Sequence, residues 1–238
     1  MDTYDQRIQQ VLLNLLHYLE RYEKARDGRA TFTYVYLLTT SLFVNAKDQF
    51  DDPYWVSRFV REFSQEFIDA TEAYDNNEPV SNGWIEVFDT VTLKRTSVLE
   101  EMLYGMASHM VHDLPVVLTK VGMTDHAKNS RITDFDRISD LLVSAIDLIQ
   151  KEVAERYNPF LGWLDRLTHR KDEFITKNGM RITRGIAWFN ANRLQDPINY
   201  EKVKIKIEIF PGILIRKSRK RFIVSLFRFV SSFSRRWP

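Results

Sequence analysis

The sequence predicts an all-α protein with a single multi-helix domain, and three observations lead to this fold class. Hydrophobic residues recur at steps of three and four through most of the chain, as on the buried face of a helix. Only 8 Gly and 7 Pro occur in 238 residues, too few for a protein built from many tight β-turns. Strand and helix patterns do not alternate, which disfavours a parallel sheet with helical crossovers.

Three helices are predicted in the first 76 residues. An amphipathic pattern predicts the first helix over residues 4–26. Residues 32–46 are apolar almost all round and are compatible with a buried helix or a strand, and the length of the segment favours a helix. A third helix follows to about residue 76, because two aspartates before Pro53 supply an N-cap and proline suits the first turn.

Helical spacing continues through the middle of the chain. Residues 84–91 form a short predicted helix, and residues 97–121 form a long one that contains Pro115. Proline cannot donate a hydrogen bond to the carbonyl four residues earlier, so we expect a kink or break at this position. A further helix is predicted over residues 134–157, with Thr133 as its N-cap.

The last part of the chain is predicted to divide into helix and tail. Helices are expected from Pro159 through residue 167 and beyond, and over residues 181–194, so the helical domain would comprise residues 1–196. Residues 203–209 alternate between apolar and charged side chains, as in a β-strand, but a lone strand has no evident partner. We therefore expect an extended connector inside a separate tail of residues 197–238.

This tail is strongly basic and amphipathic. Eleven Lys or Arg and a single acid lie between residues 202 and 238, whereas acids prevail in the rest of the chain. Within residues 216–238, apolar side chains recur at helical spacing opposite Arg, Lys and Ser, a pattern that suits the surface of an anionic membrane. Two alternatives stay open: the apolar stripe docks on the acidic body, or the basic cluster contacts nucleic acid.

Composition and the N-terminal residues limit the remaining possibilities. The first residues are polar and acidic and no apolar signal region follows, so we expect a cytoplasmic protein, peripheral at a membrane if the tail binds one. The longest uncharged apolar run, residues 33–46, is shorter than the roughly 18 to 20 residues that span a bilayer. The absence of cysteine excludes disulfides, thiolate metal sites and a cysteine nucleophile.

The candidate site lies in the predicted long helix, close to Pro115. His109 and Asp113 are four residues apart, so their side chains share one face of a helix, where they can bind one cation or hydrogen-bond each other. In a metal-free site, Asp113 would orient His109 for acid/base chemistry. The alternative is a structural hydrogen-bonded pair that fixes the packing of helices.

A divalent metal ion such as zinc would require a third ligand from another helix. Asp134 is the first choice, and Asp136, Asp51, Asp52 and His17 are further candidates. The aspartates also have simpler roles, Asp134 as an acid at a helix N-terminus and Asp51 and Asp52 as caps.

Three further residues are candidates for substrate binding. Gly105 lies one turn before His109, where it either leaves space for a ligand or permits a close helix contact. Arg184 and Trp188 are four residues apart, and an Arg beside an indole can bind an anionic ligand by charge and stacking. The alternative for this pair is a core Trp with an Arg that extends past it towards solvent.

Five short motifs carry a resemblance to a known family. In chain order they are Phe50-Asp-Asp-Pro, Trp84-x-x-x-Phe88, Gly105-Met-Ala-x-His109-x-x-x-Asp113-Leu-Pro, Asp134-Phe and Arg184-x-x-Ala-Trp188. On these motifs, residues 31–195 resemble a helical family known only as a domain of unknown function. The resemblance implies a helical fold and no particular chemistry. Ala107 stands where members of the family more often have Asn.

A second resemblance is more distant. His-x-x-x-Asp on a core helix is similar to the metal-binding helices of the zinc-dependent phospholipase C and P1 nuclease class, in which several His and Asp ligands hold a cluster that activates water. This chain has no second His-x-x-x-Asp, so the resemblance implies a single divalent ion at most. Motifs for nucleotide binding and serine hydrolysis are absent from the sequence.

These observations lead to two functional predictions. The first is an enzyme that acts on a small or lipid-like substrate in an interhelical pocket and uses His109 and Asp113 as metal ligands or as an acid/base pair. With a metal ion it would be a hydrolase or lyase. The alternative is a non-catalytic, membrane-associated binding or scaffold protein.

Overall fold

A computed structural model describes residues 3–93, 96–159, 177–219 and 235–238. Within these ranges the chain is helical and contains no strand, which confirms the all-α prediction. The helices, in chain order, are α1 (Tyr4–Ala25), α2 (Arg29–Ser41), α3 (Pro53–Asp75), α4 (Asn82–Val91), α5 (Val98–Ser108), α6 (Leu114–Val121), α7 (Ile132–Ser144), α8 (Ile146–Tyr157), α9 (Lys177–Leu194) and α10 (Tyr200–Arg219).

Local capping defines where several helices begin. The Asp52 carboxylate accepts a hydrogen bond of 2.9 Å from the backbone N–H of Trp55, and Pro53 occupies the first turn of α3, as predicted. At α5, Ser97 and Glu100 form a reciprocal capping box. These caps satisfy N–H groups that have no partner inside the helix.

An aromatic face of α3 forms the centre of the core. Trp55, Phe59, Phe63 and Phe67 recur every four residues and are all buried. The helix packs against α1 and α6. Rings at this spacing point to one side of the helix, so α3 delivers a wall of aromatic surface to the interior.

A π-helical turn, His109–Asp113, separates α5 from α6. The backbone N–H of Leu114 donates to the carbonyl of His109, five residues earlier, as in a wider turn than that of an α-helix. Pro115 has no N–H, and its ring would crowd the carbonyl four residues earlier in a regular α-helix. The break predicted at this proline is confirmed, and the candidate residues lie inside it.

The helix predicted over residues 134–157 is in fact two helices, α7 and α8, and Thr133 is not its N-cap. Helix α7 begins at Ile132, and the residue in the cap position is Arg131. The Arg131 guanidinium donates to the Asp52 carboxylate at 3.0 Å. At the start of α7 the backbone N–H of Ile132 donates to Ser130 Oγ at 3.2 Å, so a hydroxyl earlier in the chain than Thr133 contacts the first turn.

The prediction of an extended connector at residues 203–209 is wrong, because this segment belongs to helix α10. Val203 and Ile207 are buried, whereas Ile205 and Ile209 are 53% and 45% exposed. The buried residues continue every four positions along a helix that packs on α4 and α5. Alternating β-branched residues hid this four-residue period.

The last four residues contact the helical body. The Arg235 guanidinium donates to both carboxylate oxygens of the buried Glu101, at 2.5 and 2.8 Å. The Trp237 ring lies edge-on to the ring of Tyr157, with 6.1 Å between the ring centres. The described end of the tail thus docks on the body. Trp237 is the one described member of the apolar stripe predicted over residues 222–237. The rest of this stripe and the predicted helix after Pro159 lie outside the described residues.

No helix in the described ranges combines the length and the hydropathy that crossing a bilayer requires.

A glycine substitution tests the close contact between α2 and α5. A Cβ atom on Gly105 would lie 2.3 Å from Cγ of Phe32, so Gly105→Ala requires the ring or the helices to shift. We expect a loss of about 1–3 kcal/mol in the free energy of unfolding, measured by urea denaturation.

Gly185 is the matched control. It lies within α9, and a Cβ atom added there would meet no atom of the described residues within 4 Å. Gly185→Ala should therefore stabilise the protein by about 0.5–1 kcal/mol. A Gly105→Ala variant as stable as Gly185→Ala would contradict the described packing.

Candidate functional site

His109 and Asp113 meet in the π-helical turn, as their spacing predicts. His109 Nδ1 lies 2.8 Å from Asp113 Oδ2. Both side chains are buried, with exposed fractions of 4% and 1%. The pair is therefore a hydrogen-bonded unit inside the helical body and not a feature of the surface.

The Asp113 carboxylate accepts hydrogen bonds from three ring nitrogens. Besides His109, Trp84 Nε1 lies 3.0 Å from each carboxylate oxygen, and His112 Nδ1 lies 2.7 Å from Oδ1. Burial raises the pKa of Asp113, but the hydrogen bonds from the two histidines outweigh it and hold the pKa below its ordinary value. Asp113 is thus a buried carboxylate anion.

His109 is neutral, and its proton position follows from its partner. Burial lowers the pKa of His109 more than the neighbouring Asp113 raises it. Because an ionised carboxylate only accepts hydrogen bonds, Nδ1 of His109 carries the proton. Nε2 then presents a lone pair, and this buried atom has no hydrogen-bond partner among the described residues.

Aromatic rings hold the imidazole in place. The Phe63 ring stacks on His109 with 3.6 Å between ring centres and an angle of 12° between the planes. The Tyr36 ring lies 4.5 Å away at a tilt. These contacts and the Asp113 hydrogen bond leave the imidazole little freedom to rotate.

His109 lines a cavity of about 110 Å³ between helices. Side chains from α2, α3, α5, α7, α8 and α9 contribute to a wall that is almost wholly apolar. The polar atoms of this wall that lack a hydrogen-bond partner in the described ranges include His109 Nε2, Arg184 Nη2, Thr40 Oγ1 and Gln150 Oε1. An apolar cavity with a few unpaired polar atoms is typical of a small-molecule site.

Arg184 also lines this cavity and is only 2% exposed. Its Nε donates to Ser139 Oγ at 2.7 Å, and its guanidinium lies over the Phe135 ring at 4.2 Å. Burial lowers the pKa of Arg184 to about 9. The alternative in which this side chain extends towards solvent is therefore wrong.

Trp188 is not part of the cavity wall. Its ring packs against the Phe135 ring, with 5.0 Å between ring centres, and Phe135 rather than Trp188 provides the surface for the Arg184 guanidinium. Gly105 also leaves no space for a ligand, because the Phe32 ring occupies the space beside it. Of the two predictions for Gly105, the close helix contact is therefore the correct one.

The predicted metal ligands do not come together as a set of three. The Asp134 carboxylate accepts the backbone N–H groups of Asp51 and Asp52, at 2.8 and 2.7 Å, and thereby ties α7 to the start of α3. In the ranges that the structure covers, no group of three His, Cys, Asp or Glu side chains is close enough to hold a metal ion. Both oxygens of Asp113 already accept N–H donors.

Some members of the site have little or no signal in the sequence. Trp84 belongs to a motif, but its role as a donor to Asp113 depends on the approach of α4 to the π-helical turn. Gly83 permits this approach, because a Cβ there would lie 2.6 Å from His112. Thr40 and Gln150 have no distinctive neighbours and could not have been selected from the sequence.

Residues 8–208 match the model of a family of unknown function, DUF5995. The chain belongs to this family. Membership in the DUF5995 family confirms the resemblance to an uncharacterised helical family and extends beyond the predicted residues 31–195. Searches of curated proteins and of solved structures found no match. The distant resemblance to the zinc-dependent phospholipase C and P1 nuclease class stays a prediction.

The two histidines bound to Asp113 should titrate on opposite sides of the ordinary histidine pKa of about 6.5. Burial lowers the pKa of His112, but the hydrogen bond and charge of Asp113 together with the charges of Glu208 and Glu66 outweigh it, so its pKa is raised. The pKa of His109 is lowered, because burial dominates there. We expect His112 to lose its proton at higher pH than His109 in a ¹H–¹⁵N NMR titration. Asp113→Asn should lower the pKa of His112. The reverse order of titration would contradict the described burial and charges.

Proposed function

We propose that this protein is an enzyme in which His109 acts as a general acid/base on a small substrate held in the cavity. The observation that supports this most is the unpartnered, buried Nε2 of a neutral imidazole at the wall of an apolar cavity in the described part of the chain. Asp113 is a positioning residue in this proposal, because it reaches the substrate only through His109.

The geometry suits proton transfer. Nε2 can take a proton from a substrate or from an attacking water, and the imidazolium that forms is stabilised by the adjacent Asp113 anion. The proton can then pass to a leaving group. Apolar walls strengthen this electrostatic effect because they exclude bulk water.

The metal-dependent version of the proposal has less support. Asp113 is saturated by N–H donors, and Asp134 is engaged with the start of α3. A structural role for the His109 and Asp113 pair does not account for the unpaired Nε2, since a buried polar group normally has a partner. General acid/base chemistry uses both the hydrogen bond between His109 and Asp113 and the unpaired Nε2.

Hydrolysis of methyl esters of graded acyl-chain length, followed by the release of acid, tests the proposal. The cavity volume favours short acyl groups, so we expect saturable turnover of the acetate and butyrate esters and little of the octanoate. His109→Gln should lower kcat/KM by about 100-fold or more, because general acid/base catalysis typically contributes at least this much.

His126→Gln is the control for unspecific imidazole chemistry, since His126 is exposed in a turn. This variant should retain the wild-type kcat/KM. Equal loss in both variants, or wild-type turnover no faster than that of His109→Gln, would contradict a catalytic His109.

We propose peripheral membrane contact as a second, independent function. Helix α10 exposes Ile205 and Ile209 beside Lys202, Lys204 and Lys206, a mixture of apolar and basic side chains that suits an anionic lipid surface. This face supports membrane binding independently of the apolar stripe predicted within residues 216–238.

Cosedimentation with phosphatidylserine-containing vesicles tests this second function. The double variant Lys202→Glu/Lys206→Glu should pellet less than wild type, and salt should weaken the binding of wild type, because the attraction is electrostatic. Lys24→Glu/Lys47→Glu carries the same charge change elsewhere on the surface and should pellet like wild type. Equal pelleting of both double variants would contradict a role for α10.

A further inference from the structure

Arg184 is a buried cation with no acid paired to it in the described ranges. Its described contacts are the hydroxyl of Ser139, the face of the Phe135 ring and the longer-range attraction of the exposed Asp136. Nη2 is buried and has no hydrogen-bond partner among the described residues. A guanidinium removed from water without a paired anion is costly to the folded state.

The cavity offers a place for the missing anion. Arg184 comes from α9 and His109 from the π-helical turn, yet both line the same apolar space. Among the described residues of the wall, Arg184 alone is a cation at neutral pH. A ligand with one negative charge would therefore balance the charge of Arg184.

We propose that the cavity binds a small monocarboxylate, with the carboxylate on Arg184 and the apolar body against the aromatic and aliphatic wall. The two oxygens of a carboxylate match the fork of guanidinium N–H groups. A phosphate dianion would bring an uncompensated charge into an apolar space, which a single guanidinium does not balance.

The cavity volume limits the apolar body. A cavity of roughly 150 Å³ binds benzene in another protein, and the present cavity of about 110 Å³ is somewhat smaller. A short branched chain, which is smaller than a phenyl ring, is therefore the body that we expect to fit without rearrangement, and a phenyl ring tests the upper limit. Benzoate and 3-methylbutanoate are suitable probes.

This inference names the class of substrate that binds in the cavity. It rests on the proposed function only for the reaction at His109. Binding of the carboxylate depends on Arg184. The two can therefore fail separately: ester turnover that depends on His109 tests the chemistry, and carboxylate affinity tests the ligand class.

Isothermal titration calorimetry of the full chain with matched pairs tests the inference. Benzoate is compared with benzamide, and 3-methylbutanoate with 3-methylbutanamide, because each pair differs mainly in charge. We expect each acid to bind wild type about 10- to 100-fold more tightly than its amide, the range that charge-assisted hydrogen bonds supply.

Arg184→Met removes the charge and keeps most of the length and volume of the side chain. In this variant the acid should lose its advantage while the amide binds as to wild type. Equal affinities of acid and amide for wild type, or an undiminished preference for the acid in Arg184→Met, would overturn the inference.

Methyl NMR of wild type gives a second test that needs no variant. Met110 and Met180 line the cavity, whereas Met123 is buried but does not. 3-Methylbutanoate should shift the methyl signals of Met110 and Met180 and leave that of Met123 unchanged. Saturating 3-methylbutanoate without a shift at Met110 and Met180 would overturn the assignment of the cavity as the binding site.

Discussion

The buried Asp113 carboxylate is the interaction on which the rest of the site depends. Its three donors come from α4 and from the π-helical turn, so one anion joins two segments of the chain. Removing one partner from a buried, hydrogen-bonded charge commonly costs about 3–5 kcal/mol, the size of a large core defect. The same anion fixes the tautomer of His109 and thereby decides which nitrogen carries the proton.

Backbone geometry and packing place this anion. Pro115 disfavours a regular α-helix at the preceding turn, and the wider turn carries both histidines and Asp113. Gly83 then allows α4 to approach His112, which brings Trp84 within reach of the carboxylate. The site thus lies where a π-helical turn interrupts a core helix. Such turns frequently occur at functional sites.

Beside the cavity, a fully hydrogen-bonded anion lies close to polar groups that have no partner in the described part of the chain. Asp113 has all its donors, whereas Nε2 of His109 and Nη2 of Arg184 have no partners at the cavity among the described residues. Each such buried group costs about 1–3 kcal/mol when it is left unpaired. A folded protein retains such costs mainly where a ligand or a reaction uses the groups.

The sequence predicted the parts of this arrangement that depend on local spacing. Helical periodicity identified the helices of the body, and the four-residue step of His109 and Asp113 predicted their contact. Two predictions failed for different reasons. Helix α7 begins at Ile132, earlier than a Thr133 cap implies, with Ser130 Oγ bonded to its first N–H, and residues 203–209 lie in a helix that packs on α4, a contact that no local pattern reveals. Arg184 was found from its motif, but its stacking partner, Phe135, lies on another helix and shares no sequence pattern with it.

Neutron diffraction from crystals of the protein exchanged into heavy water near neutral pH tests the central claim most directly, because it locates the proton on the imidazole. We expect a deuteron on Nδ1 of His109, directed at Asp113, and none on Nε2. A deuteron on Nε2 with a bare Nδ1, or deuterons on both nitrogens, would contradict a neutral imidazole that the Asp113 anion prepares for proton transfer.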